Sequence, residues 1–434
     1  MSISGTPVSH AAAKTERRWL PPALIISIVF VSFRPFTSGL EEIGQTASGG
    51  DIVNQLGFGV IGAVCIWLIY NNVSTAALKA FNRPSWYLVL ATLFLSILTA
   101  DNPSSASRAA IFSLIVVLAA ATTIALPRTK DDLISGLAVG VAVALAFCWF
   151  AVIFVPSQGV HGSGGFEAQH AGLWRGVFDH KNVASYVMGV FTMVGLFIMR
   201  SGRPVLGGLI AIFAVIFVVQ AGSKTVLGIL PIAILSVAVA RWVTFRPLRA
   251  VIIFIPVIGL TVGTLGGVIF SPILETLQLY IPGLTYTGRT DLWIFGLDHL
   301  SKSPIFGYGF ESFWGTQRVA GLEQPIELSW DVRGIVHGHN SWLDAAINFG
   351  TPGAAIIILT LTILPVIDYL RIPAGSNAER IGALYITIWV FTAMGANLES
   401  FFFKRADPVW FCMLLAVIGL RFTAHMTNRQ KLTR

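Results

Sequence analysis

Apolar runs recur along almost the whole chain, each long enough to supply the ~20 residues that a helix needs to cross a hydrocarbon core. Polar residues collect in the connections between them. The pattern predicts about twelve spanning helices, centred near Ile28, Gly62, Thr92, Val117, Val143, Val190, Phe213, Ala233, Gly259, Leu359, Ile388 and Val417. The expected fold is an all-α polytopic membrane protein, a single integral membrane domain over 1–434. One large outer loop, 271–338, interrupts it and carries amphipathic helices. The first apolar run has a basic lead (Lys14, Arg17, Arg18) but no small-residue cleavage site, and it continues into Arg34-Pro35. It reads as an uncleaved first span.

Composition agrees. With 55% hydrophobic and 12% charged residues and a mean hydropathy of +0.75, the chain cannot hide its apolar surface as a water-soluble globule. The net charge of +8 is unevenly spread: with the N-terminus inside, most Lys and Arg fall in inner segments and most Asp and Glu in outer ones. The basic balance therefore reports orientation and contact with anionic inner-leaflet lipid, and excludes nucleic acid as the partner. Cys65, Cys148 and Cys412 lie within predicted spans and imply no disulfide framework.

Candidate chemistry is concentrated outside. The stretch His337-Gly338-His339-Asn340-Ser341-Trp342-Leu343-Asp344 places two histidines, an amide and a carboxylate at the mouth of a span. A helical run from Asn340 would set His339, Leu343 and Ala346 on one face, before Gly350-Thr351-Pro352-Gly353 bends it. The outer segment Gly159 to Asn182 holds His161, His170 and His180, at spacings that match no compact metal motif. It ends in Asp179-His180-Lys181-Asn182, which either lines an outward cavity or starts a solvated helix. Lys224 opens another span from the outer side, as a snorkelling charge or an anion ligand. In the long loop, Thr290 can cap a surface helix that begins at Asp291, with Trp293, Leu297 and Leu300 on one face and a stop at Ser303-Pro304. The aromatic turn Ile305-Phe306-Gly307-Tyr308-Gly309-Phe310 would stack on sugars or anchor at the interface. Arg289, Lys302, Arg318 and Arg333 are the loop's cations, with Glu311, Glu323, Glu327 and Asp331 as nearby acids. The last outer loop adds Glu399, Lys404, Arg405 and Asp407.

Three functions suit this layout: a transporter, an enzyme acting on a lipid-linked substrate, or a sensor. Transporters usually carry charge or glycine-broken helices near the midplane. Here span centres are nearly free of charge, with Arg34 and Asp368 close to span ends, so a surface site is expected. An enzyme handling a lipid pyrophosphate needs cations or a metal for the leaving group and a base for the incoming hydroxyl. The outer loops hold no Asp-x-Asp pair for a metal, which leaves Arg and Lys.

His339-Asn340, with nine residues to Gly350 and then Gly353, fits an H-[NSQ]-x9-G-x-x-G pattern. With Gly288-Arg289-Thr290-Asp291-Leu292-Trp293, Pro304-Ile305-Phe306-Gly307-Tyr308-Gly309 and the large loop before the histidine, the chain resembles the O-antigen ligase and polymerase superfamily (the WaaL and Wzy enzymes). Its strongest likeness is to the ExoQ-type exopolysaccharide polymerases. The resemblance implies an inverting, metal-independent glycosyl transfer at the periplasmic face of a bacterial inner membrane, with no cofactor. The donor would be an undecaprenyl-pyrophosphate-linked oligosaccharide, and chain-length regulator and export proteins would be the partners. On that basis His339 is the general base, and Arg289 and Lys224 hold the pyrophosphate. Lysine at 224 departs from the arginine frequent in relatives. Lys181, Asn182, Asn340, His337 and Arg333 are further candidate substrate contacts, and a helix-anchoring role is the alternative for His339. A polymerase is the expected activity, with a ligase that transfers glycan to a lipid core, or a non-catalytic glycan transporter, as alternatives.

Overall fold

The computed structural model describes residues 17–33, 35, 52–280, 288–323 and 331–432, so Lys14, Arg34 and Glu327 lie outside the described residues. The fold is all-α; among the described residues the sole β-like feature is one isolated bridge between Val160 and Trp174. Every predicted span centre falls within a helix. In order these are Leu20–Val31, Ile52–Asn72, Pro84–Leu98, Pro103–Ala125, Lys130–Phe154, Lys181–Arg200, Pro204–Gln220, Lys224–Trp242, Arg246–Ile269, Ser341–Arg371, Asn377–Gly395 and Pro408–Leu432.

Among the described residues, eight helices are long and apolar enough to cross a membrane by length and composition, which makes this a multi-pass membrane protein. Leu20–Val31, Pro84–Leu98 and Pro204–Gln220 are apolar but have 12, 15 and 17 residues. At ~1.5 Å per residue these fall short of a ~30 Å hydrocarbon core. Their starts follow from proline at the first helical turn, where the missing N–H costs nothing.

The helices sort into a centre and a rim. Lys181–Arg200 and Pro408–Thr427 are 78% and 72% buried, whereas Ile52–Asn72 and Arg246–Ile269 are 28% and 22% buried. Trp389, Phe391, Trp410 and Phe411 fill the middle between the Asn377 and Pro408 helices. The Lys181 and Pro204 helices touch backbone to backbone because Gly195 and Gly207 face each other; a Cβ on Gly195 would stand 2.7 Å from the Ala211 nitrogen. Small residues that let backbones approach replace the hydrophobic drive that lipid cannot supply. At the end away from the long loop, fully buried Asp368 takes Arg83 at 2.6 Å, with Arg421 at 3.6 Å and Arg371 at 3.8 Å.

The long loop departs from the expected surface helix. Its helix is Arg289–Lys302, opened by Gly288 at φ +77 instead of by a Thr290 cap. It does not present one apolar stripe outward. Leu292 and Trp293 are fully buried and share a satellite core with Leu343 and Ile347. Buried positions at Leu292, Trp293, Phe295 and Gly296 cover too wide an arc for a helix half in lipid headgroups, and the Ser341 helix takes up that arc.

The aromatic turn is likewise drawn inward. Ile305 and Phe306 are exposed, but Phe310 is buried and stacked on Phe349, and Tyr308 packs on Phe313. The reason lies in the Ser341 helix, which is kinked where Gly350 adopts φ +70, ψ 173. The kink frees backbone groups, and the turn supplies their partners. Tyr308 N donates to Ile347 O at 2.8 Å, and Thr351 N donates to Pro304 O at 2.7 Å. Gly307, at φ +67, and Gly350 each lack the Cβ that would strike the other strand of this crossing.

Candidate active site

Three chain segments converge at the loop-side ends of the central helices. The Lys181 helix begins there, the Arg289 helix begins there, and the Asn377 helix runs out into the connection 396–407 that carries Glu399. The start of the Ser341 helix closes the group. Asn340 caps it, accepting from Trp342 N and Leu343 N at 3.1 and 3.0 Å while its own Nδ2 donates to Asn397 O. Ser341 Oγ donates to Glu399 O and accepts from Phe401 N, and Asn340 N donates to Ser400 Oγ. These bonds lock 397–401 against 339–342, and so set Glu399 beside His339.

His339 is therefore not on a helix face with Leu343 and Ala346. The helix starts at Ser341, and His339 precedes it at φ +49, in the left-handed region. The cap explains this: Asn340 must be extended to offer its side chain to the first N–H groups, and the chain turns sharply before it. Gly338 is held on both sides, its carbonyl accepting from Trp293 Nε1 at 3.0 Å and its N–H donating to Asp344 Oδ1 at 3.2 Å. Trp314 Nε1 also donates to Asp344 Oδ1, at 2.8 Å.

Glu399 is the hub. Its Oε1 accepts from Asn182 Nδ2 at 2.7 Å and from Arg289 Nη2 at 2.9 Å, and its Oε2 lies 3.2 Å from His339 Nδ1. Burial pushes the Glu399 carboxyl up, but the His339 hydrogen bond and the charges of His339, Arg289 and His180 outweigh it and hold the group at about 2. It is then a carboxylate, which only accepts, so the proton of the contact belongs to His339 Nδ1. In the neutral imidazole this leaves Nε2 unprotonated and able to take a proton. His337 packs edge-on to His339 with ring centroids 4.2 Å apart. Burial, reinforced by Lys404 and the charges of His339, Arg289 and His180, holds His337 well below the usual imidazole range.

Of the four loop cations, only Arg289 joins this group. Lys302, Arg318 and Arg333 pair with Asp298, Asp101 and Asp331 at 2.6, 2.8 and 2.6 Å. Arg333 is thus tied to its own turn. Lys181 lies within electrostatic range of Glu399, Arg289 and Lys224. Lys224 is exposed at the first position of its helix, whose cap is Ser223. The tail of the histidine-rich segment is a helix start capped by His180, with Asp179 just before it. Asn340 serves the cap and the 397 connection with its whole amide.

The histidine spacing gave no hint of what the fold does with it. His161, His170 and His180 come together edge to face, with ring centroids 5.2 to 5.7 Å apart. Two of them accept backbone N–H groups: His161 Nε2 from Lys181 and His180 Nδ1 from Asn182, both at 3.1 Å. They fasten the helix start that presents Lys181 and Asn182. Among the described residues no three His, Cys, Asp or Glu side chains are placed to hold a metal ion.

Glu399 is the residue that sequence reasoning left among unassigned loop acids. Its signal was an acid in the last outer loop, adjoining Ser400, with no basic residue near it in sequence until Lys404.

Residues 188–358 match the family model described as O-antigen ligase, a span that takes in Lys224, Arg289, His337, His339, Asn340 and Gly350. An 85-residue stretch is 32% identical to the exopolysaccharide production protein ExoQ of Rhizobium meliloti (strain 1021). That alignment covers 18% of this chain and 18% of the relative, well short of either whole protein. Across the segment that carries the histidine, the arginine and the glycine kink, the chain resembles the O-antigen ligase and polymerase superfamily, and an 85-residue stretch of it resembles ExoQ.

Proposed function

We propose that the protein is a membrane glycosyltransferase that polymerises polyprenyl-pyrophosphate-linked oligosaccharide repeat units into a secreted polysaccharide, by an inverting, metal-independent reaction at the periplasmic face of the bacterial inner membrane. The observation that carries this reading is the Glu399–His339 contact beside Arg289, Lys181 and Asn182: an oriented base next to a group of cations. His339 Nε2 takes the proton of an acceptor hydroxyl as its oxygen attacks the anomeric carbon of the donor. The anomeric C–O bond to phosphate breaks on the opposite face, and polyprenyl pyrophosphate leaves with the bonding pair. The proton on His339 then passes to water. Glu399 stabilises the imidazolium through Nδ1–H, in the manner of a carboxylate behind a catalytic histidine.

Arg289 serves the leaving group. The guanidinium carries five N–H donors, and the Glu399 contact engages one of its nitrogens. The remaining fork suits phosphate oxygens, with Lys181 and Lys224 adding point charges.

The description of the matched family model favours one second reading, a ligase that hands the glycan to a different lipid acceptor by the same donor chemistry. One experiment separates them. Purified protein is incubated with lipid-linked repeat unit in chelator, alone or with a lipid-core acceptor. A product ladder with donor alone supports the polymerase, one adduct that requires the second acceptor supports the ligase, and no product in either arm sinks both.

A further inference from the structure

A polar recess lies one ring away from His339, beyond His337, and its lining includes none of Arg289, Glu399, Lys181 or Asn182. It is a small open cavity of about 80 Å³ between the start of the Ser341 helix, the 396–407 connection and the Phe310–Trp314 turn. Phe349, Phe403 and Trp314 give it aromatic walls. Its acids are already engaged: Asp344 accepts from Trp314 Nε1 and Gly338 N, and Glu311 pairs with Arg405 at 3.4 Å.

Three polar groups in the wall are not engaged in this way. His337 Nδ1 is buried with no hydrogen-bond partner among the described residues. The Lys404 ammonium is in no ion pair among the described residues, although His337, Asp344 and Asp407 lie within its electrostatic range. The Asn348 side-chain amide makes no hydrogen bond among the described residues; only its backbone carbonyl does, accepting from Ser96 Oγ. An orphaned buried ring nitrogen carries a desolvation cost that no partner offsets. Such groups are retained where a ligand completes them.

We propose that this cavity is the acceptor subsite and binds a pyranose ring of the incoming glycan, its C–H face on the aromatic wall and its hydroxyls on Lys404, Asn348 and His337. The inference rests on the glycosyl-transfer reading and adds to it a separate place for the nucleophile. Donor pyrophosphate chemistry needs cations, which cluster at Arg289. Sugar recognition needs flat apolar faces beside scattered donors and acceptors, which is what this recess offers. The two meet at His339, since His337 lines the recess and packs edge-on to the base.

The test uses full-length protein in detergent, with lipid-linked repeat unit as donor and, as acceptor, the same oligosaccharide on a short alkyl aglycone that lacks pyrophosphate. Lys404→Met and Asn348→Ala are expected to raise the acceptor KM about tenfold, leaving donor KM and the melting temperature unchanged. Lys404→Arg is expected to restore most of the loss. Unchanged acceptor KM in both variants, or donor and acceptor KM rising together, would overturn the subsite while leaving glycosyl transfer intact. A wild-type protein that transfers nothing, to this acceptor or to a second lipid-linked repeat unit, would overturn the transfer reading and this inference with it.

Discussion

His339 owes its conformation to four neighbours. The Asn340 cap sets its backbone, Trp293 and Asp344 clamp Gly338 beside it, and Glu399 orients its ring. A base held by so many partners should be sensitive to each through a different readout. His339→Ala should insert normally and lose about 10²- to 10⁴-fold in transfer rate, the usual worth of a positioned base. Glu399→Gln keeps the base and loses the orienting charge, so a smaller fall in kcat, about tenfold or more, is expected at unchanged protein level. Near wild-type output from His339→Ala at matched membrane levels would return His339 to a structural role. Arg289→Lys retains charge but loses the fork, and should cut activity several-fold, with Lys224→Arg tolerated. Full activity in Arg289→Ala would remove that residue from the mechanism.

The same residues fix the direction of pH dependence. His337 is held below its usual range, so under acid the unfolded chain takes up a proton that the folded one refuses. Stability therefore falls as pH drops through ~6.5. Glu399, held at about 2, adds a second loss as pH falls from the ordinary carboxyl range toward that value. Melting temperature should thus decline in two stages below ~pH 7, and Glu399→Gln should shrink the lower stage, to which Asp331, also held at about 2 by Arg333, contributes as well. A melting temperature that rises on acidification to pH 4 would contradict both assignments.

At the scale of elements, the kink in the Ser341 helix and the Pro304–Phe310 turn form one joint. Gly350→Ala should be among the most damaging substitutions in the chain. A backbone at φ +70, ψ 173 costs an L side chain about 1–3 kcal/mol, and the added methyl meets the Ile305 carbonyl. Gly208→Ala, which meets nothing and sits mid-helix, should be neutral or stabilising. Thermal unfolding of the two variants in detergent checks the contrast, and equal melting temperatures would refute the joint. The bend itself was readable, because Gly-Thr-Pro-Gly cannot continue a straight helix. What filled the bend was not. Two glycine-containing stretches, bonded between residues 39 and 47 positions apart, are joined by backbone hydrogen bonds, which leave no trace in side-chain type. The Arg289 helix shows the converse, since its apolar arc was visible but was assigned to lipid, and the Ser341 helix covers it instead.

At the scale of the whole molecule, the arrangement requires the Lys181, Arg289, Ser341 and Glu399 segments on one side of the membrane. Cys65, Cys148 and Cys412 are all buried, so they can be replaced to give a clean labelling background. Cysteines introduced at Ser163 and at Gly321 should react with an impermeant thiol reagent on spheroplasts, and one at Ser376 should not. Labelling at Ser376 with none at Gly321 would invert the topology and place the site in the cytoplasm.

Hydropathy alone determined that the chain is a helical membrane protein and where each helix is centred, because burial in hydrocarbon is set residue by residue and is additive along a run. Residue type alone also marked His339 and Arg289, since a base and a forked cation are scarce in such a chain. Tertiary structure decided which loop residues share a site. Glu399 stands 110 residues from Arg289, 217 from Asn182 and 60 from His339, and meets all three within hydrogen-bond distance. It likewise converted three scattered histidines into a clasp on the Lys181 helix. Such meetings depend on which helix ends are neighbours in the bundle. That is fixed by glycine contacts and buried aromatic packing between helices, and a one-dimensional pattern of polar and apolar positions does not encode it.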